Sequence, residues 1–280
     1  MIFYIGQSAA ISGITRTCIL AFFPCLLLIM PVFPLSEGSF TIGHDKIFHP
    51  FEHHLNELNQ RPTGSLLVEV QPFLVVLDDE VMILDTGLGF KDATGILQIH
   101  QNLQAQGYKP EQITKVLLSH LHKDHAGGLM YQDQNGIRKP SFPNASYFIY
   151  RPEADYALET GMPSYDTSDF EQLFSSNQVV WLDGPEGRIS EHITYRHSGA
   201  HCPQHIVYLI EDGADTLFFG GDEAPQYKQM KMKYVAKYDW DGRKAMQLRE
   251  QWAEEGGKAG WKFLFYHDIQ TPVTRLSIVG

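Results

Sequence analysis

The chain has 280 residues, enough for one large domain or two small ones, and 43% of them are hydrophobic, as in globular proteins with a sizeable core. Its formal net charge of −11 argues against a general nucleic-acid binder, because binding to phosphate backbones needs Lys and Arg. Three cysteines, with no Cys-x-x-Cys pair, indicate neither a disulfide framework nor a cysteine-based zinc site of that spacing.

The N-terminal part is nearly all apolar over residues 18–35 and contains three prolines. Such a run is typical of a signal-peptide core or a membrane anchor, but the prolines disfavour a regular spanning helix. We favour translation from Met30 and expect residues 1–29 to be a hydrophobic extension outside a catalytic domain of residues 30–280. We therefore expect a cytoplasmic protein without stable membrane insertion, and export or anchoring through the extension is the alternative.

The next part of the chain is predicted to be rich in strands. Residues 31–38 are expected to form the first strand and turn, and residues 41–62 have no clean period and are expected to form a loop. Ile96, Ile99 and Leu103 recur at helical spacing, with Gly107 as a stop signal. Strands are predicted here at residues 66–70, 73–77 and 81–84.

The remaining chain alternates hairpins and helices. Helices are predicted near residues 152–158 and before Gly256-Gly257, and the polar stretch 159–178 is expected to lie on the surface. Further strands are predicted at residues 115–119, 147–150, 179–182, 206–210, 216–219 and 262–266. This alternation predicts two sheets flanked by helices in one domain.

The most informative motif directly follows the predicted strand that ends at residue 119. Residues 120–125 read His-Leu-His-Lys-Asp-His, and chance gives roughly 0.002 matches to His-x-His-x-Asp-His in a chain of this composition. Imidazole and carboxylate ligands suit zinc or a similar divalent ion. His120 and His122 are two residues apart in an extended segment, so both can reach one ion. Asp124 and His125 are expected to reach a second, neighbouring ion.

Three residues downstream are candidates to complete such a site, because a two-metal centre needs about seven protein ligands. His201 precedes the strand at residue 206, Asp222 follows the strand that ends at residue 219, and His267 follows the last predicted strand. A lone histidine of this kind is usually structural, but the joint pattern favours ligands. Cys202, beside His201, is expected to be a small buried residue.

This order of ligands resembles the metallo-β-lactamase superfamily over about residues 31–280. Residues 84–87, Leu-Asp-Thr-Gly, also match the Asp-x-Gly motif of that family. The resemblance implies an α/β (α+β) fold, a four-layer αββα sandwich with the site at one edge of two sheets.

The resemblance also implies a role for each candidate. His120, His122 and His201 would bind the first metal, Asp124, His125 and His267 the second, and Asp222 would bridge both. Asp85 would not bind a metal itself but would orient one of the ligands. Two Zn²⁺ or other divalent ions would hold a bridging hydroxide that attacks a carbonyl or phosphoryl group, and Asp124 would pass a proton to the leaving group.

Residues 119–128, Ser-His-Leu-His-Lys-Asp-His-Ala-Gly-Gly, are most similar to the branch of acyl-homoserine lactonases and methyl parathion hydrolase. In that branch a long N-terminal loop overlies the metals, so Phe48 and Phe51 are candidates for substrate binding, with an ordinary packed loop as the alternative. Tyr227 is a third candidate, although lactonases place a catalytic Tyr closer to the bridging Asp. The implied activity is hydrolysis of an ester, lactone or related bond of a small molecule, by a monomer or a homodimer.

Three other interpretations stay open. A persulfide dioxygenase keeps much of this ligand set but works with one iron. A glyoxalase II cleaves a thioester and adds a glutathione-binding portion, whose anion site Lys228, Lys231 and Lys233 would mimic. A non-catalytic scaffold would lack ligands, and this chain lacks none.

Overall fold

Two six-stranded sheets form the centre of the computed structural model, which describes residues 30–77, 80–213 and 215–277. The predicted extension, residues 1–29, lies outside the described residues, so the domain boundary stays a prediction. In chain order the strands are β1 (Val32–Pro34), β2 (Gly38–Ile42), β3 (Phe48–Pro50), β4 (Leu66–Val70), β5 (Phe73–Leu77), β6 (Glu80–Leu84), β7 (Lys115–Leu117), β8 (Met130–Gln132), β9 (Arg138–Pro140), β10 (Ser146–Tyr150), β11 (Val179–Leu182), β12 (Glu186–Arg188), β13 (Ile193–His197), β14 (Ile206–Glu211), β15 (Thr216–Phe219), β16 (Lys262–Leu264) and β17 (Val273–Arg275). The α-helices are α1 (Gln98–Ala105), α2 (Lys123–Ala126), α3 (Arg151–Thr160), α4 (Tyr227–Met230) and α5 (Gly242–Ala259).

The first sheet has the strand order β1-β5-β6-β7-β10-β11, and the second has the order β12-β13-β14-β15-β16-β17. Strands β6, β7, β10 and β11 run parallel, which fits their short, continuous apolar sequences, because parallel strands are covered on both faces. A smaller sheet, β3-β2-β4, and the hairpin β8-β9 complete the strands that the structure describes.

The core consists of three apolar layers, as expected for helices packed outside two stacked sheets. Between the sheets lie Phe73 and Phe219, whose rings are 6.0 Å apart. On the outer side of the first sheet, Leu103 of α1 and Ala157 of α3 join the second layer. Trp252 of α5 packs on Phe218, outside the second sheet. The predicted αββα sandwich is therefore confirmed.

Several predicted elements differ from the structure. Residues 41–62, predicted to be a loop, contain β3, which pairs with β2. Residues 159–178 are predicted to lie on the surface, but their side chains Tyr165, Phe170 and Leu173 are buried. Burial of these large apolar groups holds the stretch against the core, although many of its other residues are polar. The strand predicted to be last, β16, is followed by β17, and β13 was not predicted at all.

Helix α5 continues through Gly256-Gly257, where the sequence predicted its end, and reaches Ala259. A Cβ atom on Gly256 would lie 2.5 Å from the ring of Phe263 and 2.6 Å from that of Trp261. The glycine therefore allows close packing of the helix on the sheet and does not stop it. No helix in the described part of the chain is long and apolar enough to cross a membrane.

Candidate metal centre

The structure brings the seven predicted ligands together at one edge of the two sheets. His120 follows β7, Asp222 follows β15 and His267 follows β16, while His201 lies in the loop before β14. Strands β15 and β16 are parallel, so their carboxyl ends lie side by side. The strand-end positions that the sequence indicated are thus neighbours in space.

The ligand atoms fall into two groups. His120, His122, His201 and Asp222 each offer an atom within 4.8 Å of the others, and so do Asp124, His125 and His267. This division matches the two sets that the resemblance implied, except that Asp222 is grouped here with the first. All seven side chains are buried or half-buried.

Asp222 contacts both groups with different oxygens. Its Oδ2 lies 3.2 Å from His201 Nε2, whereas Oδ1 lies 3.2 Å from His125 Nε2 and 3.0 Å from His267 Nε2. Although burial favours the neutral acid, the imidazoles of His267 and His125 hold the pKa of Asp222 well below its usual range. A carboxylate in this position can serve two cations at once.

The donor set fits divalent metal ions. The Nδ1 atoms of His125, His201 and His267 face Asp85 at 2.7 Å, Asp239 at 3.0 Å and the carbonyl of Glu69 at 2.6 Å, respectively. These contacts leave the Nε2 atoms to converge on Asp222. His125 Nε2 and Asp222 Oδ1 are buried without a hydrogen-bond partner, an arrangement that is costly unless a cation binds there.

Asp85 lies behind the second ligand group, in the position predicted for an orienting carboxylate. Besides His125 Nδ1, it accepts hydrogen bonds from Ser119 N and Ser119 Oγ, each at 2.7 Å. Ser119 Oγ therefore accepts from His120 Nδ1 at 3.0 Å, which leaves Nε2 of that ring as the ligand atom. One buried carboxylate thus fixes a ligand in each group.

The profile of the metallo-β-lactamase superfamily matches residues 68–271, well over half of the chain. The chain belongs to the metallo-β-lactamase superfamily. Its membership confirms the predicted family and supports the predicted enzyme class, a hydrolase.

Individual relatives of this metallo-β-lactamase superfamily chain are distant. The lactamase-like protein notP of Aspergillus sp. (strain MF297-2) is 26% identical over 171 residues, which is 60% of this chain and 43% of that protein. The chain thus spans less than half the length of this curated relative.

Solved structures share the fold over most of the chain. A probable metal-dependent hydrolase from Staphylococcus aureus has a TM-score of 0.69 at 21% identity, covering 89% of this chain and 92% of its own. AidC, a dizinc quorum-quenching lactonase, has a TM-score of 0.64 at 20% identity, covering 89% and 91%. The hydrolase AbOPH has a TM-score of 0.63 at 19% identity, covering 88% and 89%.

Two acidic residues that were not among the predicted site residues hold the loop of His201. Glu223 Oε1 accepts hydrogen bonds from the backbone N–H groups of Ala200, at 2.7 Å, and His201, at 2.9 Å. Asp239 contacts the imidazole itself, and Arg249 donates to the carbonyl of Glu223 at 3.0 Å. The position of Glu223 directly after Asp222 was a usable signal, whereas nothing in the sequence singles out Asp239.

His205 is a buried histidine that supports Asp222 and was also missed. Its Nε2 accepts from the backbone N–H of Asp222 at 3.2 Å, so Nδ1 carries the proton and faces Ser198 Oγ at 3.0 Å. Burial and the neighbouring His201 lower the pKa of His205 well below its usual value, which keeps the ring neutral. A Cβ atom on Gly221, whose φ is +48°, would lie 2.7 Å from His205 Nε2. Glycine is therefore required beside this histidine.

Glu153 of α3 connects the two loops that carry the first ligand group. Its Oε1 accepts from the backbone N–H of Leu121 at 3.0 Å, between His120 and His122. Its Oε2 lies 3.6 Å from Sγ of Cys202, next to His201, and this cysteine is buried as predicted. Burial raises the pKa of Glu153 to about 7. Through its contacts with Leu121 and Cys202, the carboxyl group holds both loops in position.

The three predicted substrate-binding residues lie in different surroundings. Phe48 lies beside the motif, 5.8 Å from the ammonium of Lys123, whereas Phe51 is buried against His53. Tyr227 packs on Phe265 with its ring 6.0 Å away, and among the described residues its ring contacts include none of the seven ligands. Two unpredicted tyrosines do contact ligand rings: Tyr165 lies 4.8 Å from His122, and Tyr238 lies 6.2 Å from His201.

Proposed function

We propose that the protein is a dinuclear metal-dependent hydrolase that cleaves an ester, lactone or related bond of a small molecule. The observation that carries the proposal is the position of Asp222, whose two carboxylate oxygens face different groups of histidines. A site for a single ion has no need of this arrangement. Zinc is the ion that the imidazole-rich donor set favours, and manganese, cobalt and iron are chemically compatible with it.

The residues of the proposed centre divide into two sets joined by Asp222. His120, His122 and His201 would hold the first ion, and Asp124, His125 and His267 would hold the second. Bound divalent ions of this kind lower the pKa of water and polarise a carbonyl oxygen.

The surrounding residues fix the tautomer of two ligands of the second group. The Asp85 carboxylate holds a proton on Nδ1 of His125, and the Glu69 carbonyl does the same for His267, so each Nε2 presents a lone pair. The Tyr266 hydroxyl donates to the backbone carbonyl of Asp124 at 2.6 Å and fixes that residue. We assign Asp124 the additional task of passing a proton to the leaving group through its carboxylate.

The lactone part of the proposal is supported by the fold that the chain shares with AidC and other acyl-homoserine lactone hydrolases. In the one-iron alternative the second ligand group would bind no metal, although a hydrogen bond at Nδ1 orients both His125 and His267.

Metal analysis combined with a substrate panel tests the proposal. The panel contains a lactone, an aryl ester, a phosphotriester, a β-lactam and a glutathione thioester, each with metal-replete and chelator-treated protein. We expect two divalent ions per chain, turnover of the lactone or the ester, and loss of turnover on chelation. Full activity without metal, or one iron with oxygen consumption, would contradict the proposal.

A further inference from the structure

The segment of residues 228–244 combines positive charge with exposed apolar side chains beside the metal centre. It contains six of the 22 Lys and Arg residues and only two acidic residues, in a chain whose net charge is −11. We refer to it as the basic segment. A local concentration of cations in an acidic protein indicates that this segment attracts an anionic partner.

Three cations of the basic segment are exposed without a carboxylate partner. Lys228, Lys231 and Lys237 form no ion pair within the described ranges, although the ammonium of Lys231 lies 4.1 Å from the centre of the Tyr227 ring. Lys233 pairs with Glu250 at 3.2 Å. The two acidic residues of the segment are already engaged, since Asp239 contacts His201 and Asp241 accepts from Lys244 N.

Apolar side chains lie between these cations and are open to solvent. Trp240 is 70% exposed, Met232 is 57% exposed and Val235 is 49% exposed. These three side chains lie within nine consecutive residues. A Trp flanked by Lys and aliphatic residues is typical of surfaces that enter the headgroup region of a bilayer.

The backbone of the basic segment is joined to the loop of the first ligand group. Trp240 N donates to the carbonyl of His201 at 3.0 Å, and Asp241 N donates to that of Ala200 at 2.8 Å. A surface bound through this segment would therefore lie directly beside the metal centre.

We propose that the basic segment docks the protein on an anionic lipid surface, with Trp240 and Met232 in the headgroup region. The positive charge attracts acidic headgroups. The exposed apolar side chains would be buried in a lipid surface, whereas a soluble anion offers them no apolar environment. Such docking is peripheral, and it does not depend on the proposed hydrolysis. It places the centre where lipophilic substrates are concentrated.

Vesicle flotation tests the docking in the full-length chain. The probes are vesicles of equal parts phosphatidylglycerol and phosphatidylcholine, and vesicles of phosphatidylcholine alone. We expect binding to the anionic vesicles that weakens as salt is added, because salt screens the attraction. We also expect a blue shift of tryptophan emission that is lost in Trp240→Phe, since the indole of Trp240 would leave water.

Two triple variants with the same change in net charge separate the basic segment from general electrostatics. Changing Lys228, Lys231 and Lys237 to Gln is expected to weaken binding about 100-fold, or about fivefold for each charge removed. The matched control changes three exposed cations elsewhere, Lys91, Lys109 and Arg188, which also form no ion pair within the described ranges, to Gln and should retain the original affinity. Far-ultraviolet circular dichroism verifies that both variants fold.

Three results would overturn the docking proposal: no binding to anionic vesicles, equal losses in the two triple variants, or an unshifted Trp240. Binding of single-stranded nucleic acid at the same salt concentration, without vesicle binding, would assign the segment to a different partner. None of these results depends on catalytic activity, so failure of the docking and failure of the proposed hydrolysis are distinguishable.

Discussion

The two ligand groups are supported by different parts of the molecule. The second group is held by core elements, since His125 rests on Asp85 after β6 and His267 rests on the backbone of β4. The first group depends on longer connections, because His201 is held by Asp239 in the basic segment and by Glu223. The comparison teaches that the proposed second metal position depends on the sheets, whereas the proposed first position depends also on the basic segment through Asp239.

Removing the shared ligand should have the largest effect, because it removes the link between the two groups. Asp222→Ala is expected to abolish measurable hydrolysis and to lower the metal content of both positions. Inductively coupled plasma mass spectrometry after dialysis measures that content. If the variant kept two tightly bound ions, the two groups would be independent and the assigned bridge would be wrong.

Asp85→Asn should act mainly on the second group. The amide is isosteric but cannot fix the Nδ1 proton of His125 as the carboxylate does, so we expect metal affinity to fall about 10- to 100-fold. Competition with a coloured chelator measures the two affinities. A larger loss at the first position would reverse the comparison, since Ser119 and His120 would then be the main targets of Asp85.

Glu153→Ala should act on the first group alone. Loss of the acceptor for Leu121 N loosens the segment between His120 and His122, and we expect about a tenfold weaker first metal. Glu153→Gln keeps an acceptor oxygen and should restore most of the affinity. Failure of the Gln variant to rescue would show that charge, and not the position of the loop, is what Glu153 supplies.

A stability change away from the centre should have the smallest effect on metal binding. Asp215, at the start of β15, contacts Lys262 and Arg275, and despite partial burial these cations lower its pKa. Because the folded-state pKa is depressed, the contribution of the ion pairs is present above the unfolded pKa and is lost as the pH falls through the folded one. Asp215→Asn should lower the free energy of unfolding by about 1 kcal/mol at neutral pH, and by less in acid.

Chemical denaturation at several pH values measures this effect, with metal affinity as the control. The ion pairs lie at the opposite ends of the strands that lead to Asp222 and His267. An affinity change as large as that of Asp85→Asn would therefore show that the sheet transmits strain to the ligands.

The clustering of the candidate ligands could be predicted because these residues are encoded locally. Each of them lies within a dense motif or directly beside an apolar strand, and parallel strands bring such ends together. The residues that support the ligands could not be predicted, because Glu153, His205 and Asp239 act through contacts with segments that are distant in sequence. The fold was predicted at the level of layers, but β13 and the buried rings within residues 159–178 depend on tertiary packing that local pattern does not reveal.

Titration of the metal-free protein with Zn²⁺, followed by hydrolysis of a lactone or aryl ester, tests the dinuclear assignment most directly. We predict that activity rises until two equivalents are bound and then stays constant, because the two carboxylate oxygens of Asp222 face different ligand groups and both proposed ions are needed for hydrolysis. Full activity at one equivalent, or activity that is independent of added metal, would contradict the assignment.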